Sequence, residues 1–260
     1  MRMAALNEIL PMEAVLLDAP AADWREAVRR AGDLLVATGA ATATYTAEMI
    51  ENVEQNGPYI VIAPGLALAH ARPSPAVLGT GMSWVRLAAP VRFGHEANDP
   101  VELVVGLAAK DASEHTAAMA ALARLLADPA TDRALREAPG PQAVHALLSG
   151  GREGEHPREA AGSGDGLHKI LTVCGNGVGT SLFLKQTLEG VLDRWGWSRH
   201  VTVEATDTIS AKGKANEAVA ILTSREIAGT LGDVGIPVKV VEDFTSAAEA
   251  DRVLRDTYDV

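Results

Sequence analysis

Cysteine occurs once in the 260 residues, at Cys174, and aromatic side chains make up only 4% of the chain. A single thiol excludes an intramolecular disulfide and fits a reducing compartment. Basic residues are also scarce: 23 Lys and Arg stand against 34 Asp and Glu, a formal charge of −11, with no basic patch. That balance excludes nucleic acid as a partner. No apolar run approaches the roughly 20 residues of a membrane span, and Met1–Leu6 lacks an apolar signal core, so the sequence predicts a cytosolic chain. What remains is a composition rich in small and β-branched residues, 47% hydrophobic, which belongs to a globular protein and not a disordered one. The length suits one large domain or two of ordinary size.

The organising stretch is Ile170–Ser181, where an apolar, β-branched run ends in Cys174 and is followed by Gly175, Asn176, Gly177, Val178, Gly179, Thr180 and Ser181. A helical pattern begins at Leu182. The arrangement predicts a buried strand that delivers a thiol to a glycine-rich turn opening a helix. Alternate glycines let backbone N–H groups turn inward and the helix start adds partial positive charge, so an anion is stabilised there. The same field predicts a lowered pKa for Cys174. A thiolate in an anion cradle can attack a phosphoryl group and hold it afterwards. Core filling is the competing reading of a lone cysteine at a strand end. A dinucleotide site would need Gly-x-Gly-x-x-Gly where this chain has Gly-x-Gly-x-Gly. A tyrosine-phosphatase loop would place Arg where Thr180 stands, and a redox site would call for a second thiol.

Residues Ser149–Gly166 are polar, Gly-rich and without periodicity, which predicts a flexible linker over 150–166 between domains at 1–149 and 167–260. After it, strand and helix alternate four times, predicting a four-stranded parallel sheet with helices on both faces. Before it, helices are expected from Asp23 and from Tyr45, and short strands over Tyr59–Ala63, Val77–Leu87 and Val101–Ala109, the last nearly all apolar and so central. His70 lies in the Pro- and Gly-punctuated exit from the first strand, and His115 falls in the first turn of a helix that follows the central strand. Functional groups in α/β sheets gather at such strand ends. His70, His95 and His115 with Asp111 and Glu114 form a competing zinc constellation, but they lack tight ligand spacing, and no metal or cofactor is expected. His95 reads as a structural or surface residue in a turn.

The loop Val173–Leu182 resembles the active loop of enzyme IIB of the bacterial sugar phosphotransferase system, of the ascorbate/galactitol/lactose-related kind, over the region from about His168 to the end. The stretch Gly57–Pro73, with Val91–Val101 and Asp111–His115, resembles enzyme IIA of the mannitol/fructose fold group, especially ascorbate-type members, over nearly all of residues 4–149. The resemblance implies two α/β domains, an N-terminal mixed-sheet sandwich and the parallel C-terminal sheet. It implies a phosphohistidine at His70 with His115 beside it, and a phosphocysteine at Cys174. The phosphate would sit on Gly175, Asn176, Gly177, Val178, Gly179, Thr180 and Ser181. It implies a phosphotransferase that takes its group from phospho-HPr and passes it to a sugar, ascorbate first among candidates, on a membrane enzyme IIC. It leaves room for a homodimer. One departure stands out: Ala69 precedes the histidine where the family usually has Pro. The alternative role is a phosphorylation-dependent regulatory module that binds another protein.

Overall fold

The computed structural model describes residues 6–149, 168–174 and 180–260. The linker expected over 150–166 lies outside the described residues, as do Gly175, Asn176, Gly177, Val178 and Gly179.

The N-terminal half carries strands β1 (Val15–Ala19), β2 (Val61–Ala63), β3 (Leu66–His70), β4 (Gly81–Val91) and β5 (Val101–Ala108). They form one mixed sheet in the order β1-β4-β5-β3-β2. The most apolar strand, β5, takes the central place, antiparallel to β4 and parallel to β3. Around the sheet lie α1 (Leu6–Ile9), α2 (Trp24–Ala37), α3 (Ala43–Asn56), α4 (Ala112–Leu126), α5 (Pro129–Arg136) and α6 (Pro141–Ser149). Strand alternation sorts the side chains into two layers. Leu66, Leu68, Leu103, Val105 and Leu107 pack toward α4 and α6, and Ala67, Ala69, Val104 and Ala108 toward α2 and α3.

The abundance of small residues has a packing cause. A Cβ at Gly32, in α2, would run into the Thr46 side chain of α3, and one at Gly106, in β5, would meet Ala31 Cβ of α2 at 3.3 Å and Leu35 Cδ1 at 3.4 Å. Helix α2 therefore sits close on both α3 and the sheet. The strand expected over Val77–Leu87 begins instead at Gly81 and runs on to Val91. Val77 makes only an isolated bridge with Ala41, and the Leu78 and Gly79 N–H groups both turn to the Ala40 carbonyl, so a loop precedes the strand.

The C-terminal half contains β6 (His168–Cys174), α7 (Ser181–Trp195), β7 (Val201–Asp207), α8 (Thr208–Lys214), β8 (Ala220–Thr223), α9 (Arg225–Leu231), β9 (Val238–Val240) and α10 (Ala247–Tyr258). The sheet is all parallel, in the order β7-β6-β8-β9. Helices α7 and α10 cover one face and α8 and α9 the other. Along β6, Ile170 joins the first layer while Leu171 and Val173 join the second, as a doubly covered strand requires. Helix α4 of the N-terminal half packs on α7, and one apolar cluster continues across that junction through Met119, Leu122, Phe183, Leu184 and Leu188. Among the described residues no helix is long and apolar enough to cross a membrane.

Candidate functional site

His70 is the last residue of β3 and only 5% exposed. Its Nδ1 lies 2.9 Å from the Leu68 carbonyl oxygen. A carbonyl can only accept, so Nδ1 carries the proton and Nε2 keeps the lone pair. Burial, more than any neighbour, holds the His70 pKa below the usual imidazole value, with the Leu68 bond opposing it. The ring is therefore neutral and nucleophilic at pH 7.

His115 stands in the first turn of α4, which Asp111 caps by accepting the Glu114 N–H at 2.8 Å. The two imidazoles are 5.5 Å apart between centroids and inclined at 49°. Burial, and then the neighbouring His70, push the His115 pKa down to about 3. Its Nδ1 is buried without a hydrogen-bond partner among the described residues. A neutral ring with an unsatisfied buried nitrogen beside a nucleophile is well placed to bond an oxygen of whatever group that nucleophile acquires.

Two tyrosines stand beside this pair, and no local sequence pattern marks either of them. Tyr45, from α3, donates to the Leu107 carbonyl at 2.8 Å and accepts the Ala71 N–H at 3.0 Å. It thereby ties the chain leaving His70 to the end of β5. Tyr59 presents its ring edge to His70 at 5.8 Å, with 80° between the planes. Burial raises the Tyr59 pKa, and the next contribution is the charge of Cys174. Tyr59 stands edge-on beside His70 at the end of β3.

Cys174 closes β6 and is 4% exposed. Its Sγ lies 3.4 Å from Ser181 Oγ at the start of α7. Thr172 Oγ1 donates to the Ser181 carbonyl at 3.0 Å, and Thr223 Oγ1 to the Val173 carbonyl at 2.6 Å, fixing strand end and helix start together. The expected lowering of the thiol pKa is corrected here: burial pushes it up and outweighs the bonds from Ser181 and Thr180 that pull it back. Local fields at a helix start are legible in sequence, but the desolvation supplied by the rest of the fold is not.

A reaction that needs the Cys174 thiolate is therefore expected to quicken as pH rises from 6 to 8. Ser181→Ala, which removes a hydrogen bond to the developing anion worth about 1.5–3 kcal/mol, should slow it at pH 7 by about tenfold or more and move the alkaline rise upward. Rapid-quench kinetics across that pH range would measure both effects, and an unchanged profile would show that Ser181 does not support the thiolate.

His95 does not join His70 and His115. Its Nε2 lies 3.8 Å from Glu226 Oε1. Among the described residues no group of three or more His, Cys, Asp or Glu gathers as a metal cage. His145 meets the Asn7 carbonyl at 3.2 Å, and His168 stacks on Tyr258.

Residues 8–150 match the family described as phosphoenolpyruvate-dependent sugar phosphotransferase system, EIIA 2, and residues 169–256 match PTS system, lactose/cellobiose specific IIB subunit. The ascorbate-specific PTS system EIIA component of Salmonella typhimurium is 43% identical over 113 residues, covering 44% of this chain and 73% of that protein. The component of the same description from Escherichia coli K12 is 42% identical over the same length and shares. Among solved structures, the mannitol-specific cryptic phosphotransferase enzyme IIA CmtB from Escherichia coli aligns with TM-score 0.52 and 31% identity, over 56% of this chain and 99% of its own. A buried imidazole ending a strand of one mixed sheet, with a second imidazole beside it from α4, and a lone thiol ending a strand of a parallel sheet are, with these matches, the two halves of a phosphoryl-transferring component of sugar transport. Such components work between a phosphocarrier protein and a membrane enzyme IIC. The chain belongs to the EIIA 2 family of the phosphoenolpyruvate-dependent sugar phosphotransferase system, with a IIB subunit region following in the same polypeptide.

Proposed function

We propose that this chain is a two-step phosphoryl relay, divided into a phosphohistidine domain at 1–149, a linker at 150–166 and a phosphocysteine domain at 167–260. Phospho-HPr is the donor. The Nε2 lone pair of His70 attacks the phosphorus in line as the N–P bond of HPr breaks. The proton stays on Nδ1, where the Leu68 carbonyl steadies the positive charge that the ring acquires. The Cys174 thiolate then attacks the same phosphorus; an S–P bond forms, the Nε2–P bond breaks, and His70 returns to its neutral form. Phosphocysteine finally gives the group to a sugar hydroxyl on a membrane enzyme IIC.

The observation that carries this reading is the tautomer of His70, whose Nδ1 is tied to the Leu68 carbonyl so that Nε2 keeps its lone pair. Ascorbate is the proposed sugar, on the strength of the relatives described as ascorbate-specific, and the cytoplasm is the proposed location. The test is incubation of the whole chain with phosphoenolpyruvate, enzyme I and HPr, followed by intact mass and the acid and base lability of the label. Wild type is expected to gain both an acid-labile phosphohistidine and a phosphocysteine, and to discharge when membranes bearing an ascorbate enzyme IIC and ascorbate are added. A chain that never gains a phosphoryl group ends the relay reading.

A further inference from the structure

The segment Phe93–Asp99 takes no part in the chemistry above, yet it is a densely bonded turn. The Asp99 carboxylate accepts the N–H groups of Phe93 at 3.0 Å, Gly94 at 2.7 Å and His95 at 3.1 Å. His95 Nδ1 accepts the Asn98 N–H at 3.1 Å and the Ala97 N–H at 3.3 Å, which leaves the ring proton on Nε2. The Asn98 carbonyl accepts the Gly65 N–H at 3.0 Å. Every one of these bonds holds the turn in shape within the N-terminal half.

What the turn presents outward goes to the other half. Asn98 Nδ2 donates to the Glu242 carbonyl at 2.8 Å, across 144 residues of sequence. His95 Nε2 faces Glu226 at 3.8 Å, and Glu96 lies 3.6 Å from Arg225. Asn98 is 3% exposed and His95 5%, burial that a polar turn tolerates only when its groups are partnered. Next to it the Phe244 N–H donates to the Ile62 carbonyl at 3.1 Å, tying the segment after β9 to β2, the neighbour of the His70 strand. The packing of α4 on α7 forms the other flank of the same junction.

We propose that the Phe93–Asp99 turn is the docking element by which the N-terminal half recognises the C-terminal half of the same chain, so that transfer from His70 to Cys174 runs within one molecule. The docking claim stands on the bonds above; the transfer claim rests also on the relay reading. Covalent linkage keeps the second half at a high effective concentration, so the polar turn, with the packing of α4 on α7 beside it, suffices to align the two sites without a stable dimer.

The test uses the full chain, Asn98→Ala and Asn98→Asp. Alanine keeps the backbone bonds of the turn and removes the donor; aspartate keeps the shape and sets an acceptor against the Glu242 carbonyl. In wild type the Phe244 amide should be protected from hydrogen exchange, and His70-to-Cys174 transfer should be independent of protein concentration. In Asn98→Ala, exchange at Phe244 should be about tenfold faster and transfer about tenfold slower, as expected for one buried hydrogen bond. Asn98→Asp should be further impaired, while both variants are charged at His70 by phospho-HPr at the wild-type rate. An unprotected Phe244 amide in wild type, or variants that exchange and transfer as wild type does, overturns the docking role. Transfer that slows on dilution overturns the within-chain route. If wild type is not charged at all, the relay reading fails, and the exchange comparison still decides the docking.

Discussion

Cys174→Ser is expected to halt the chain at its first phosphorylated form, with acid-labile label accumulating on His70 and none reaching sugar. A hydroxyl in this place would have to ionise under the same burial that already raises the thiol, from a far higher starting pKa. Loss of a nucleophile of this kind costs on the order of 10⁴-fold or more. His70→Ala is expected to remove label from both sites, because Cys174 then has no donor. Its buried imidazole makes a bond to the Leu68 carbonyl, and leaving that acceptor unpaired costs about 1–3 kcal/mol, so a thermal melt should accompany the assay. Intact mass after exposure to phosphoenolpyruvate, enzyme I and HPr separates the two variants in one experiment. Label on Cys174 in His70→Ala would reverse the proposed order of transfer.

Cys174 was legible in the sequence because it ends a buried apolar run at a change of periodicity. His70, expected in the Pro- and Gly-punctuated exit from a strand, in fact closes a strand of its own, β3, which pairs parallel with β5 where the alternation of small residues gave no strand signal. The nearly all apolar run Val101–Ala109 gave away the central strand, and the Ile170–Cys174 run gave away its counterpart in the parallel sheet. What escaped were roles made by tertiary contact. Tyr45 follows the helical apolar stripe of α3 and reads as core, yet its hydroxyl reaches Ala71 and Leu107, 26 and 62 residues away. Tyr59 belonged to an expected strand, which in fact begins two residues later because the Val61 N–H turns back to the Pro58 carbonyl. The rarity of tyrosine, three in the chain, was the one signal available for both. His95 read as a turn residue because its counterpart, Glu226, lies in the other half. The thiol pKa failed for a related reason: glycines and a helix start are local, but the layers that desolvate Cys174 are not.

His115→Ala is expected to slow both the arrival of the phosphoryl group at His70 and its departure, by about 10²–10³-fold, the scale of losing one preorganised donor to developing charge. The residue is held for that task. The Asp111 cap fixes the first turn of α4, the ring sits 5.5 Å from His70, and its buried Nδ1 has no partner among the described residues. Its neutrality carries a second, measurable consequence. The unfolded chain takes up a proton at this residue near pH 6.5, whereas the folded chain does so only at about 3. Protons therefore favour the unfolded state between those values, and the stability present above pH 6.5 is lost as pH falls toward 3, by at most about 1.4 kcal/mol per pH unit from this group. His70 is displaced in the same direction and adds to the slope. Urea unfolding of wild type at pH 7 and pH 5 should show that loss, and His115→Gln, which cannot take the proton, should show less of it. A variant whose stability falls as steeply as wild type, or which transfers at the wild-type rate, would remove His115 from the site and leave His70 to work with Tyr59 alone beside it.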